Sequence, residues 1–155
     1  MKTLIAWFSW SGNTEKIARN LAAKTEADLF RIETVKPYSR DYHTCAYVEA
    51  KNEVDNRIHP PIRTPLPDIT AYDNIIVAFP IWWYTMPMAV LTFLESYDWK
   101  GKKVWLFADS YTDDPTYMDN ALRDARQAAP SAEFARGLFN GELKHADSWL
   151  SEHLI

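Results

Sequence analysis

Three short stretches of this 155-residue chain carry side chains whose types and spacing could do chemistry. The first, Ser9-Trp10-Ser11-Gly12-Asn13-Thr14, offers three hydroxyls, an amide and a glycine where an apolar run gives way to helical spacing. At a helix N-terminus such a stretch is an anion cradle. Its exposed backbone N–H groups and the positive helix end favour a phosphate, and Gly12 lets the backbone approach it closely. No lysine or arginine lies inside, so a phosphate would be held by neutral donors. Taken alone, the stretch is equally well read as a helix cap made by Asn13 or Thr14. The second, Pro80-Ile81-Trp82-Trp83-Tyr84-Thr85-Met86-Pro87, puts three adjacent aromatics in what should be a surface loop. Flat ligands want such walls, although any single ring here is as well explained by core or dimer packing. The third, Asp109-Ser110-Tyr111-Thr112-Asp113-Asp114, adds an aromatic flanked by acids.

Several chemistries are excluded by what is missing. No Gly-Lys-Ser/Thr follows the first stretch, and Gly12 is its only glycine, so it is neither a nucleoside-triphosphate loop nor a dinucleotide fingerprint. Ser9 and Ser11 lack the flanking glycines of a nucleophile elbow, and no histidine stands where the last strand should meet the last helix. A phosphate-accepting aspartate ending the third strand is replaced by Phe79 and Pro80. What is left is a phosphate cradle facing two aromatic walls, which describes a flavin mononucleotide (FMN) site. Asp109, Asp113 and Asp114 should then put negative charge near the flavin rim. Cys45 falls in a helical stretch and reads as packing.

These loops need elements to hold them. Thr3 to Phe8 reads as a strand, and Ile17, Ala18, Leu21 and Ala22 as the inner side of the helix after it. Asp28 to Glu33 suits a strand nearer the sheet edge. A helix is expected from about Asp41 to Asn56. Pro60, Pro61, Pro65 and Pro67 then imply an extended surface segment. Asn74 to Phe79 is a continuous apolar strand, followed after Pro87 by a helix with Val90, Leu94 and Tyr97 on one side. Lys103 to Ala108 is the fourth strand, with Asp114 and Pro115 opening a helix that turns Leu122, Ala125 and Ala129 inward. Glu133 to Phe139 is the fifth strand, before a helix from Glu142 to Leu154. Alternation of this kind predicts a parallel sheet covered on both faces, with ligands beyond the carboxyl ends of its strands.

Length and composition agree with one domain spanning 1–155. An apolar fraction of 47% supplies a core and excludes disorder. With 17 basic against 21 acidic residues the net charge is −4, and no basic run offers a footprint for nucleic acid. A single cysteine forms no internal disulfide, and four scattered histidines have no zinc-ligand spacing, so a reducing, cytoplasmic setting and no metal are expected. The run after Lys2 is too short for a secretory core. Ile75 to Leu94 carries no charge, but Pro80 and Pro87 interrupt it and Trp82 and Trp83 would sit at mid-bilayer, so no membrane span is expected.

Phe8-Ser9-Trp10-Ser11-Gly12-Asn13-Thr14 is similar to the phosphate loop of the flavodoxins, and Pro80-Ile81-Trp82-Trp83 with Met86-Pro87 resembles the flavin loop of one bacterial branch of that family. The likeness extends over essentially the whole chain. It implies an α/β fold: a doubly wound five-stranded parallel sheet in the order 2-1-3-4-5, helices on both faces. It also implies FMN as cofactor, with Ser9, Trp10, Ser11, Gly12, Asn13 and Thr14 at the phosphate. Pro80, Ile81, Trp82, Trp83 and Tyr84 would lie along one side of the isoalloxazine, and Asp109, Ser110 and Tyr111 beside it. Relatives of this branch often carry a His-Gly-Gly-Ser-Gly-like turn after strand four. Without those glycines, Ser110 to Asp114 cannot take the same positive dihedrals cheaply, which bears on the pyrimidine-side contacts. The function implied is a low-potential electron carrier between a reductase and acceptor enzymes, meeting basic redox partner proteins, with no catalytic residue of its own. Two alternatives stay open: an FMN-dependent NAD(P)H oxidoreductase acting on quinones or nitro compounds, and a scaffold that has lost its flavin.

Overall fold

The computed structural model describes residues 2–154. Strands β1 (Thr3–Trp7), β2 (Asp28–Arg31), β3 (Asn74–Pro80), β4 (Lys103–Asp109) and β5 (Glu133–Phe139) form one sheet in the order β2-β1-β3-β4-β5. Every neighbouring pair is parallel. Helices α1 (Asn13–Thr25), α2 (Lys51–Asn56), α3 (Met88–Glu95), α4 (Thr116–Ala128) and α5 (Ala146–His153) complete a doubly wound α/β fold.

The inner strands β1 and β3 are almost wholly apolar because both faces are covered there. Along β1, Ile5 and Trp7 face a layer with Ala18, Leu21, Ala146 and Leu150 of α1 and α5. Leu4, Ala6 and the following Phe8 face the opposite layer, built by Val90, Phe93 and Leu94 of α3 and Met118, Ala121 and Ala125 of α4. The same alternation runs through Ile75, Val77 and Phe79 against Ile76 and Ala78. The uncharged stretch Ile75 to Leu94 is thus divided between a strand and a short helix. No helix among the described residues is long and apolar enough to cross a membrane.

The edge strand behaves as its sequence implied. In β2, Asp28, Leu29 and Arg31 are exposed. The proline-rich segment does more than run over the surface. Val35 N–H donates to the Pro61 carbonyl at 3.0 Å and Arg63 N–H to that of Glu33 at 2.7 Å, forming an antiparallel bridge Thr34–Ile62 beyond the end of β2. Thr92 Oγ1 of α3 donates to the Pro60 carbonyl at 2.8 Å, which fastens the segment to the sheet's cover. The expected helix from Asp41 begins with a π-helical stretch, Thr44–Ala50, before α2. Its start is fixed by the Asp41 carboxylate, which accepts from Thr44 N–H and Oγ1 at 2.9 and 2.8 Å. The last helix is shorter than its periodicity suggests. Residues Asn140–His145 wind as a 3-10 turn, with Glu142 accepting from Phe139 N–H at 3.0 Å, and α5 starts only at Ala146.

Candidate functional site

Because all strands point one way, the loops after β1, β3 and β4 gather at one end of the sheet. They enclose a cleft of about 320 Å³, within the usual size of a small-molecule site. Of the fourteen residues the sequence singled out, ten line it: Trp10, Ser11, Asn13, Pro80, Ile81, Trp82, Trp83, Asp109, Ser110 and Tyr111. Ser9, Gly12, Thr14 and Tyr84 do not line it.

At the first loop, Gly12 precedes α1 with φ +100°, a left-handed backbone that a residue with a Cβ adopts only under strain. Its N–H donates to Ser9 Oγ at 3.1 Å, which closes the loop and leaves the Ser9 hydroxyl hydrogen free to donate. No side chain caps α1, so the reading of Asn13 or Thr14 as a helix cap does not hold. The first N–H groups of the helix are left for a ligand, since Lys16 is the first to donate back, to the Gly12 carbonyl at 3.1 Å. Thr14 is buried and turned the other way: its hydroxyl donates to Asp109 Oδ1 at 2.6 Å, tying the first loop to the end of β4. Burial pushes the Asp109 carboxyl above the usual carboxylate range, against the opposing pull of that hydrogen bond. Trp10 is held by its indole N–H, 2.9 Å from the Ser39 carbonyl.

The second loop is a tight turn. Trp82 N–H donates to the Thr85 carbonyl at 2.8 Å and Thr85 N–H returns to Trp82 at 3.4 Å. Between them Trp83 and Tyr84 take φ +49° and +74°. Successive positive φ values mark the type I′ turn, a geometry normally given to Asn-Gly; for two bulky aromatics it is strained, and such strain clusters at ligand sites. Five contacts hold it. The Trp83 indole N–H donates to the Ala46 carbonyl at 2.7 Å, Asn120 Nδ2 donates to the Tyr84 carbonyl at 2.9 Å, and Thr85 Oγ1 donates to buried Asp124 at 2.6 Å. The Trp82 ring stands edge-on to both Phe8 and Tyr38 with centroids 5.1 Å apart in each pair. Tyr84 leaves the cleft because the turn swings its ring outward: it is 61% exposed and leans on Tyr117.

The third loop, lacking glycine, contains no residue at positive φ. The left-handed residue is supplied elsewhere, by Asn140 at φ +49°, whose Oδ1 accepts from Ser110 N–H at 2.6 Å. Tyr111 stands at the mouth, 95% exposed. Of the three acids expected at the rim, only Asp109 lines the cleft. Asp113 faces a separate hollow beside Asn140, and Asp114 holds the start of α4 by accepting from Thr116 N–H at 2.9 Å.

One whole wall escaped the sequence reading. Tyr42, Cys45, Ala46, Tyr47 and Ala50, from the π-helical segment and its approach, close the cleft opposite the strand ends. The extra residue per π turn is a device often found at functional sites. Here the Ala46 carbonyl accepts from both Lys51 N–H and the Trp83 indole. The only sequence signal was two tyrosines five apart in a polar helix. Cys45 is buried, and burial together with Glu49 and Glu53 pushes its thiol up to about 12, so it stays protonated. No group of acids, histidines and cysteine among the described residues could hold a metal ion.

A parallel sheet ordered 2-1-3-4-5, with a glycine-started helix and an aromatic turn at its switch point, defines the doubly wound α/β class of protein. Within that class the chain belongs to the flavodoxin family, whose model matches residues 2–153. Among solved structures it is similar to a candidate flavoprotein from Bacteroides eggerthii, at 27% identity over 99% of this chain and 98% of that one, with a TM-score of 0.84. A second, from Bacteroides uniformis, has 28% identity, 97% coverage of both chains and a TM-score of 0.84. A flavoprotein from Lactobacillus acidophilus, solved in complex with FMN, shares the fold at 21% identity, covering 96% of this chain and 97% of that one, with a TM-score of 0.76. No curated protein matches the chain.

Proposed function

We propose that this protein binds FMN in the cleft between the three loops and serves as an electron carrier, passing electrons from a reductase to an acceptor protein. The observation that carries the reading is the pairing, in one cleft, of an uncapped helix N-terminus with a strained aromatic turn. The first suits a terminal phosphate and the second a flat ring system. FMN bound there would supply reversible electron transfer. The chain's own residues bind and orient it: the N–H groups at the start of α1 with Ser11 and Asn13 on the phosphate, and Trp82 or Trp83 with Pro80 and Ile81 on the ring. Asp109, Ser110 and Tyr111 close the remaining side.

The Lactobacillus relative with FMN supports this assignment at the level of fold. The acidic balance of the chain suits basic redox partners, drawn by long-range attraction that weakens with salt. An absorption spectrum of the purified protein is the first test, and a flavin band is expected. Apoprotein titrated with FMN and riboflavin should bind FMN far more tightly; equal affinities would remove the phosphate assignment. The isolated protein should not sustain NAD(P)H consumption with a quinone, and if it does, the oxidoreductase alternative takes the place of the carrier.

A further inference from the structure

A second cleft, of about 290 Å³, opens on the other side of Trp10. Three arginines are among the residues that line it, Arg31 at the end of β2, Arg40 in the following loop and Arg63 in the proline-rich segment. The Thr34–Ile62 bridge brings them together across more than thirty residues of chain. Acids outnumber bases in the molecule, yet among the described residues none of these arginines forms an ion pair. Glu33 also lines the cleft, and three positive charges against one negative leave a net +2. The Arg31 guanidinium lies over the Trp7 indole, 5.1 Å from its ring centre, which steadies it. Ser9 adds a hydroxyl whose hydrogen is not used by the Gly12 contact.

Three like charges gathered in one cleft repel each other unless an anion lies among them. A carboxylate matches one guanidinium fork. A phosphate monoester brings two charges and three equivalent oxygens, enough for several forks and a hydroxyl donor. We propose that this cleft is a second anion site, selective for a terminal phosphate dianion, whether free orthophosphate or the 2′-phosphate of a dinucleotide such as NADP+. The site does not depend on the flavin assignment, since its three cations take no part in the first cleft.

The test is titration of the FMN-saturated protein with orthophosphate, NADP+ and NAD+, followed by calorimetry and phosphorus NMR. NADP+ should bind about ten-fold or more tightly than NAD+, and orthophosphate should compete with it. In the double variant R40Q/R63Q, which leaves the Arg31–Trp7 contact in place, both ligands should weaken by about ten-fold or more. Thermal melting checks that these exposed changes leave the fold intact. Orthophosphate binding that is lost in the variant, with NADP+ no better than NAD+, supports the site and names free phosphate as its ligand. The proposal is overturned if neither orthophosphate nor NADP+ binds, if binding is unchanged in R40Q/R63Q, or if a poly-glutamate peptide outcompetes orthophosphate. Should the protein take up no FMN, the same titrations on the protein as purified still separate the two clefts, because the arginine changes do not touch the first loop.

Discussion

Asp109 is the residue where packing and electrostatics oppose each other. Its carboxylate ends a buried strand, accepts from Thr14 and has its pKa raised by burial. An acid whose folded pKa lies above its unfolded value binds a proton better when folded. Stability is therefore greater below the window between the two values and is lost as pH rises through it. Asp109→Asn, which keeps an acceptor for Thr14, should raise apoprotein stability at pH 7, with the gain vanishing toward pH 4; urea unfolding at several pH values measures this. Thr14→Val should cost about 1–3 kcal/mol at pH 7, because it leaves that carboxylate without its donor. The two tryptophans should separate in the same way. Trp83→Ala should weaken FMN binding by about 0.5–1.5 kcal/mol or more with less effect on the apoprotein, whereas Trp82→Ala, which empties the space beside Phe8 and Tyr38, should lower apoprotein stability as well. Flavin titrations followed by tryptophan fluorescence, run beside unfolding curves, distinguish them.

At the scale of elements, two positions show what the backbone demands. In β5, Gly137 lies where a Cβ would come 2.4 Å from the Phe107 ring and 2.7 Å from the Leu106 carbonyl, beside the register shift between β4 and β5. Gly137→Ala should therefore destabilise the protein by about 1–3 kcal/mol, as overpacked cores do. The aromatic turn works in the opposite sense. Tyr84 holds φ +74° with an exposed ring, so Tyr84→Gly should stabilise the apoprotein by about 1 kcal/mol. Thermal unfolding gives both signs, and a destabilised Tyr84→Gly would show that the ring's contact with Tyr117 outweighs the backbone strain.

For the whole molecule, the decisive feature is a cleft lined by no lysine or arginine. FMN affinity should consequently change little between low and high ionic strength, while association with a basic partner should fall as salt rises; titrations at several salt concentrations compare the two. Asp109 is the acid that lines the cleft, so Asp109→Asn should raise the potential of the second electron, where a reduced flavin would carry negative charge, and Asp113→Asn should leave it nearly unchanged. Potentiometric titration of both variants checks this.

How much of this was legible beforehand depends on the range of the interactions involved. The alternation of apolar runs with helical spacing determined the doubly wound sheet, because strands covered on both faces must be apolar at every position and helices must repeat near 3.6. The three loops were visible because glycine, proline and clustered aromatics stand out locally. Contacts between segments distant in sequence were not visible. The wall of Tyr42, Cys45 and Tyr47 came from a helix that reads as polar surface, and its π turn follows from no local pattern. Thr14 looked like a phosphate ligand or a cap until the end of β4, ninety-five residues on, placed Asp109 beside it. The left-handed residue that the third loop lacks is provided by Asn140 from the far side of α4. The gathering of Arg31, Arg40 and Arg63 required the bridge beyond β2. Local periodicity and residue type are written along the chain, whereas which side chain meets which across the sheet is decided by packing geometry, and that exists only once the chain has folded.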